Sequence, residues 1–270
     1  APAQTEEEAL VTEAQAKEAG FDAVSVVCIT DDKAHYYPGA GFFATKLIAD
    51  RTTHRLLGIQ VLGSGAVDKM VDIAVTGIAM NATLEQFDTL DYAYAPPFST
   101  AIHPFVQAVY ILENKISGEF DTFTPREYLD GKAKAYQVID AMPAPSIPNA
   151  LWIDLSKVDG VLPECPDKDA KLLLVCARGK RGYFLQNRLK AAGYTKTKVL
   201  EGGITFNRVE VKKKGKLSPD DIKRVKALGC LWDKRTEDRF NVRVITRNGR
   251  LTAEEQLAVA QAAEKYGNGE

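Results

Sequence analysis

Cys176 stands at the end of an apolar run, Leu172-Leu-Leu-Val175, and is followed within six residues by Arg178, Lys180 and Arg181 and by Gly179 and Gly182. An unbroken apolar run of this kind suits a parallel strand covered on both faces. From Tyr183 to Ala192, Leu185, Leu189 and Ala192 recur at helical spacing, and Gly193 marks the stop. The thiol is therefore placed between a strand and a helix, facing the helix's positive end. Free amides, the helix dipole and three cations all favour the thiolate, which would make Cys176 a nucleophile at neutral pH. The three histidines, His35, His54 and His103, are distant in sequence, so activation falls to amides and cations and not to a Cys-His pair. A lone cysteine is more commonly just a small buried residue. The density of cations and glycines argues for chemistry.

The rest of the chain must position that loop. Its 270 residues allow two or three domains at ~100–200 residues each. With 45% hydrophobic and 26% charged residues the composition is ordinary globular material. The formal net charge of -1 gives no reason to expect nucleic acid or a membrane surface as partner. Cys28, Cys165, Cys176 and Cys230 form no C-x-x-C pair, which argues against zinc, an iron–sulfur cluster or a disulfide scaffold, so no metal site is expected and a reducing cytoplasm is the expected location. No apolar run is long enough to span a bilayer. The chain opens on Ala1 without a charged-then-apolar leader, and a fragment of a longer protein is the favoured reading.

Along the chain, Thr5 with Glu8 and Thr12 with Gln15 are candidate capping boxes, the second preceding a short helix that stops at Gly20. Phe21–Thr30, Phe42–Asp50 and Arg55–Leu62 read as strands, with Leu57, Ile59 and Val61 on one face. Val67, Met70, Val71, Ala74 and Ile78 mark a helix whose other side is also apolar, which predicts burial on two sides, as in a core or a dimer interface. Thr83 and Gln86 suit another capping box, two prolines break Tyr92–Phe98, and Pro104–Leu112 reads as a helix. Beyond a basic linker at Lys212–Lys216, Ser218 caps a helix to Leu228. Phe240, Val242 and Val244 alternate as a strand, Asn248-Gly249 turns, and Thr252 with Glu255 caps a last helix.

Three resemblances accompany these residues. Cys-Ala-Arg-Gly-Lys-Arg-Gly182, Leu-Lys-Ala-Ala-Gly-Tyr194 and Val-Leu-Glu-Gly-Gly203 resemble a single-domain rhodanese, from about Gly118 to about Lys212. In that family the loop cysteine accepts a sulfane sulfur as a persulfide. The resemblance implies Cys176 and Arg181 as catalytic residues and Ala177, Arg178, Gly179, Lys180 and Gly182 as the anion-binding loop, acting on a small sulfur-containing substrate. The loop has the shorter length typical of sulfurtransferases and not that of the related phosphatases. The chain departs from the family at Asp140-Ala-Met142, where Asp-Val-Arg is usual, and at Ser146-Ile-Pro-Asn149, where His-Ile-Pro-Gly is usual.

Tyr36-Tyr-Pro-Gly-Ala40, Phe43-Ala-Thr-Lys-Leu47, Asp68-Lys-Met-Val-Asp72 and Tyr94-Ala-Pro-Pro-Phe-Ser99 resemble the dimerisation domain of pyridine nucleotide-disulfide oxidoreductases, in the coenzyme A-disulfide reductase and NADH oxidase branch. That resemblance implies a homodimer, coenzyme A as substrate or ligand with Tyr36, Tyr37 and Tyr94 at the matching positions, and FAD and NAD(P)H in the full-length protein. Tyrosines packed in a dimer interface are the plainer alternative. The sequence contains no Gly-x-Gly-x-x-Gly and no redox cysteine pair, so no cofactor is expected in this chain itself. Val242-Arg-Val244, Gly249–Ala253 and Glu264–Gly269 resemble, over a short length, the ferredoxin-like half domain of sulfite and nitrite reductases.

The fold class is therefore a mixed α/β and α+β multidomain chain. An α+β dimerisation domain spans 1–115, a rhodanese-like α/β domain with a central parallel sheet spans 118–212, and a small α+β segment spans 217–270. Two functions fit: a rhodanese-type sulfurtransferase attached to a reductase, favoured by the intact cationic loop, or a dimerisation and docking module whose rhodanese fold turns over little, favoured by the departure at Asp140–Met142.

Overall fold

The computed structural model describes residues 11–209 and 211, together with two strands, Cys230–Trp232 and Phe240–Val242. The chain divides into two units, Ala1–Lys212 and Lys213–Glu270. The first begins with α1 (Glu13–Glu18), β1 (Ala23–Asp31), β2 (Phe42–Asp50), β3 (Leu56–Gly63), α2 (Val67–Ala79), α3 (Leu84–Asp88) and α4 (Pro104–Ile116). Thr12 caps α1 reciprocally: its amide donates to Gln15 Oε1 at 2.9 Å and its hydroxyl accepts from the Gln15 amide at 3.3 Å. The expected box at Thr5 lies outside the described residues.

The strands form an antiparallel sheet in the order β1-β2-β3. Simple alternation places Leu57 beside Ile59 and Val61, and the register corrects this. Ile48 pairs with Gly58 and Ala49 with Leu56, so Leu57 is the extra residue of a bulge. It packs with Ala16, Ala23 and Ile48, while Leu56 and Ile59 join Leu47 in the main core. Helix α2 buries Met70, Ala74 and Gly77. Gly77 is required by packing, because a Cβ there would lie 2.0 Å from Phe87 Cζ. Val67, Val71, Ile73 and Ile78 are partly buried against the same core, and beside the helix Met80 is 76% exposed and Leu90 55%, so within this chain α2 is not sealed on both sides.

His103 caps α4 by accepting the Phe105 amide on Nδ1 at 3.2 Å, and its ring stacks on Tyr92 at 4.8 Å. Burial, with Lys69 nearby, lowers its pKa from 6.5 to about 4. The unfolded chain therefore takes up this proton first as pH falls below 6.5, and stability present at neutral pH is lost on the way to the folded value. Taking the chain from pH 7 to pH 5 is expected to cost roughly 2 kcal/mol through this residue. Urea denaturation at the two pH values checks it, with His103→Asn keeping a capping group and removing the titration. Equal losses in wild type and variant would contradict the assignment.

The unit continues with β4 (Thr122–Phe123), α5 (Pro125–Leu129), β5 (Gln137–Asp140), β6 (Leu151–Trp152), a 3-10 turn at Leu155–Lys157, β7 (Leu172–Val175), α6 (Lys180–Ala191), β8 (Thr197–Leu200) and α7 (Gly203–Phe206). These strands form a parallel sheet in the order β4-β8-β7-β5-β6. As the apolar run predicts, β7 is covered on both faces: Leu172 and Leu174 belong to one hydrophobic cluster, Leu173 and Val175 to another. The first of those clusters also holds Val24, Leu47 and Phe105, so one core runs through both sheets. Phe120 bridges it edge-on to Tyr183, 5.3 Å between ring centroids.

In the second unit, β9 (Cys230–Trp232) and β10 (Phe240–Val242) form an antiparallel pair. The strand at Phe240 and Val242 was legible from alternation, and β9 was not. The other features expected after Lys212, including Val244, lie outside the described residues. Among the described residues, no helix is long and apolar enough to cross a membrane and no group of three or more His, Cys, Asp or Glu could hold a metal ion.

Candidate functional site

Cys176 follows β7 at the carboxyl end of the parallel sheet. The chain passes from β5 outward to β6 and then returns to β7 on the other side of β5, so the thiol sits where the strand order reverses, the position at which such sheets bind ligands. Helix α6 starts at Lys180, three residues earlier than the apolar spacing predicts, because its first turn, Lys-Arg-Gly, offers no apolar residue to register the start. The thiol is only 2% exposed. The Gly179 amide donates to Sγ at 3.1 Å and the Gly182 amide at 3.4 Å.

Glycines make this geometry accessible. Gly179 has φ +95°, in the left-handed region, which lets the loop turn into the helix. Gly203 backs the loop so closely that a Cβ would lie 2.2 Å from the Cys176 carbonyl oxygen, and the Ile204 amide donates to that same oxygen at 3.0 Å.

The three loop cations take separate places. Arg181 Nε donates to the Ala141 carbonyl at 2.7 Å, crossing the crevice between β7 and β5. Arg178 Nη1 donates to Asp31 Oδ1 at 2.6 Å, and Lys180 Nζ lies 5.9 Å from the centre of the Phe184 ring. The groups in contact with the sulfur are amides. Asp140, 1% exposed, accepts from the amides of Met142 at 2.9 Å, Ser146 at 2.6 Å and Ile147 at 2.9 Å. The departure at Asp140–Met142 thus forms a tied loop at the mouth, facing Arg181.

Cys28 and Cys165 are held as thiols. Burial, with Glu201 adding to it, pushes Cys28 up to about 12, and burial with Asp167 raises Cys165. Glu201 stands within the Val-Leu-Glu-Gly-Gly203 motif, whose residue types carry no sign of its partners. Its buried carboxylate accepts from the Val27 amide at 2.8 Å, the Thr122 hydroxyl at 2.6 Å and Lys115 Nζ, and Lys115 also donates to the Ser25 carbonyl at 2.7 Å. On the free edge of β1 the Val27 amide is thereby satisfied from the turn that follows β8, and the Ser25 carbonyl from Lys115 on α4.

Tyr36 is 67% exposed and Tyr94 53%, with Tyr37 half-buried beside Tyr36 at 5.6 Å between ring centroids. The Ala34 amide donates to the Pro96 carbonyl at 3.3 Å, so the loops bearing these tyrosines adjoin. The base of the first of them is the Asp31 that holds Arg178. A cleft of about 980 Å³, lined by Lys46, Lys115, Thr122 and Arg126 among others, does not include Cys176 or the tyrosines.

These features define a chain with an oxidoreductase-type dimerisation domain joined to a rhodanese-like domain. Residues 11–105 match the pyridine nucleotide-disulphide oxidoreductase dimerisation domain and residues 124–205 the rhodanese-like domain. Residues 232–270 match the nitrite/sulfite reductase ferredoxin-like half domain. All three resemblances read from the motifs are thus present.

More particularly, the chain is similar to the NAD(P)H coenzyme A polysulfide/persulfide reductase of Pyrococcus horikoshii, 34% identical over 103 residues that cover 38% of this chain and 23% of that protein. In structure it is similar to a NAD-dependent persulfide reductase from A. fulgidus, with TM-score 0.65 and 34% identity over 73% of this chain and 36% of that one. It is also similar to reduced Bacillus anthracis CoADR-RHD, with TM-score 0.62 and 28% identity over 72% and 36%. The chain spans between 23% and 36% of the length of these relatives.

Proposed function

We propose that this chain is the C-terminal portion of an FAD- and NAD(P)H-dependent coenzyme A-disulfide or persulfide reductase-like protein, in which the rhodanese-like domain carries sulfane sulfur on Cys176. Its three parts are residues 1–115, 118–212 and 217–270. The observation that carries the reading is the pair of amides directed at Cys176 Sγ from a glycine-bearing helix start. The thiolate attacks the outer sulfur of a donor, the donor's S–S bond breaks, and the carrier leaves with the electron pair. The terminal sulfur of the resulting persulfide keeps the negative charge, which the loop from Ala177 to Gly182 and Arg181 stabilise until an acceptor thiolate removes it.

FAD and NAD(P)H belong to the reductase portion of the whole protein, and no residue of this chain is assigned to them. Tyr36, Tyr37 and Tyr94, presented together on adjoining loops, would contact coenzyme A. The exposed groove of about 660 Å³ beside α2, lined by Ile73, Met80, Phe87, Leu90 and Tyr92, has the apolar character of a homodimer interface. The absence of paired cysteines in the sequence fits a reducing cytoplasm.

The docking reading draws on a different observation, that Asp31 and the Ala141 carbonyl already engage Arg178 and Arg181. Thiosulfate treatment followed by mass spectrometry of intact peptides separates the two. One added sulfur on the Cys176 peptide is expected. An unmodified Cys176, or sulfur found on Cys28 or Cys165 instead, would leave the docking module as the better account.

A further inference from the structure

Arg178 is the cation nearest to Cys176 in sequence, yet its charge is committed to the other sheet. Nη1 sits 2.6 Å from Asp31 Oδ1, and Cζ lies 5.7 Å from the centre of the Phe42 ring. Asp31 and Phe42 face each other as the end of β1 and the start of β2, so a carboxylate and an aromatic face form one fixed seat for the guanidinium. The ion pair is open to solvent, with side-chain exposures of 41% for Arg178 and 40% for Asp31, and such a pair is weak enough to exchange. The Gly179 and Gly182 amides at the sulfur are neutral donors. Beyond the fixed guanidinium of Arg181, the positive charge met by an incoming anion at Cys176 therefore depends on whether Arg178 is seated.

We propose that Asp31 is a specificity-determining residue for the sulfur site. By holding Arg178 on the first sheet it disfavours small dianionic donors such as thiosulfate relative to organic persulfides, whose reacting S–S⁻ group bears a single charge. The assignment rests on the sulfur-transfer reading above. The covalent step is the same for both donors. Cys176 thiolate bonds to the sulfane sulfur, the bond from that sulfur to its carrier breaks, and the carrier leaves as sulfite or as a thiolate, with the persulfide anion left on Cys176.

In the full chain, Asp31→Asn and Asp31→Ala are expected to lower KM for thiosulfate about three- to tenfold by releasing the guanidinium, with a steeper dependence on ionic strength. With glutathione persulfide as donor, kcat/KM should stay within about twofold of wild type, since one charge fewer is recognised. The double variant Asp31→Ala with Arg178→Gln should match Arg178→Gln alone. A thiosulfate KM unchanged in both Asp31 variants overturns the proposal, as does a gain that survives loss of Arg178. If wild type and Cys176→Ser turn over equally, it is the sulfur-transfer reading that fails. The charge assignment is then read from sulfate protection of Cys176 against iodoacetamide: stronger protection in Asp31→Ala supports it, and equal protection overturns it.

Discussion

Glu201→Ala is expected to lower the unfolding free energy by about 3–5 kcal/mol, the range for removing one partner of a buried ion pair. The carboxylate side chain is 0% exposed and that of Lys115 is 16% exposed, so the deletion strands an ammonium away from full hydration. It also removes the acceptor of the Val27 amide and of the Thr122 hydroxyl. Urea denaturation measures the loss. Glu201→Gln, which keeps an acceptor and drops the charge, should lose less. Adding Lys115→Met to Glu201→Ala should recover part of the loss, because the stranded charge is gone. A Glu201→Ala variant within about 1 kcal/mol of wild type would mean that water reaches the pair and that the deletion leaves no stranded charge. The consequence extends past stability. Glu201 immediately precedes Gly202 and Gly203, and Gly203 backs the Cys176 carbonyl, so the sulfur loop is braced from the edge of the first sheet.

The elements that place Cys176 were legible because each carries a local signal. The apolar run at Leu172–Val175 reports a covered strand, and Leu185 and Leu189, both buried, report the inward face of α6. The glycines after Cys176 announced a tight turn into a helix in the same way, and Thr12 and Thr83 announced their capping boxes. What escaped lacks any local signal. Glu201 and Lys115 are 86 residues apart, and Asp31 and Arg178 are 147 apart. Nothing in either neighbourhood distinguishes a paired charge from a solvated one. Leu57 escaped for a different reason: a bulge changes the face without changing the alternation of residue types. Strand β9 at Cys230–Trp232 is three residues long, too short to show a period.

Cys176→Ser is expected to abolish sulfur transfer, and Arg181→Ala to slow transfer from thiosulfate by roughly ten- to a hundredfold with the fold intact, since a charge-assisted contact is worth about 1.5–3 kcal/mol and each ~1.4 kcal/mol is a factor of ten. The structure gives Arg181 a basis for the larger role among the loop cations. Its Nε is anchored on the Ala141 carbonyl, which fixes the planar guanidinium across the crevice that opens beside Cys176. Lys180 instead rests over Phe184, and a flexible ammonium there can turn to water, so Lys180→Ala should do less. Arg181→Lys distinguishes charge from geometry: lysine restores the charge without the Nε anchor, and it should recover only a minor part of the rate. Steady-state transfer from thiosulfate to cyanide, with circular dichroism as the check on folding, reads all four variants. An Arg181→Ala protein as fast as wild type would show that the Gly179 and Gly182 amides alone hold the charged sulfur, and full rescue by lysine would show that the Ala141 anchor serves the fold and not the reaction.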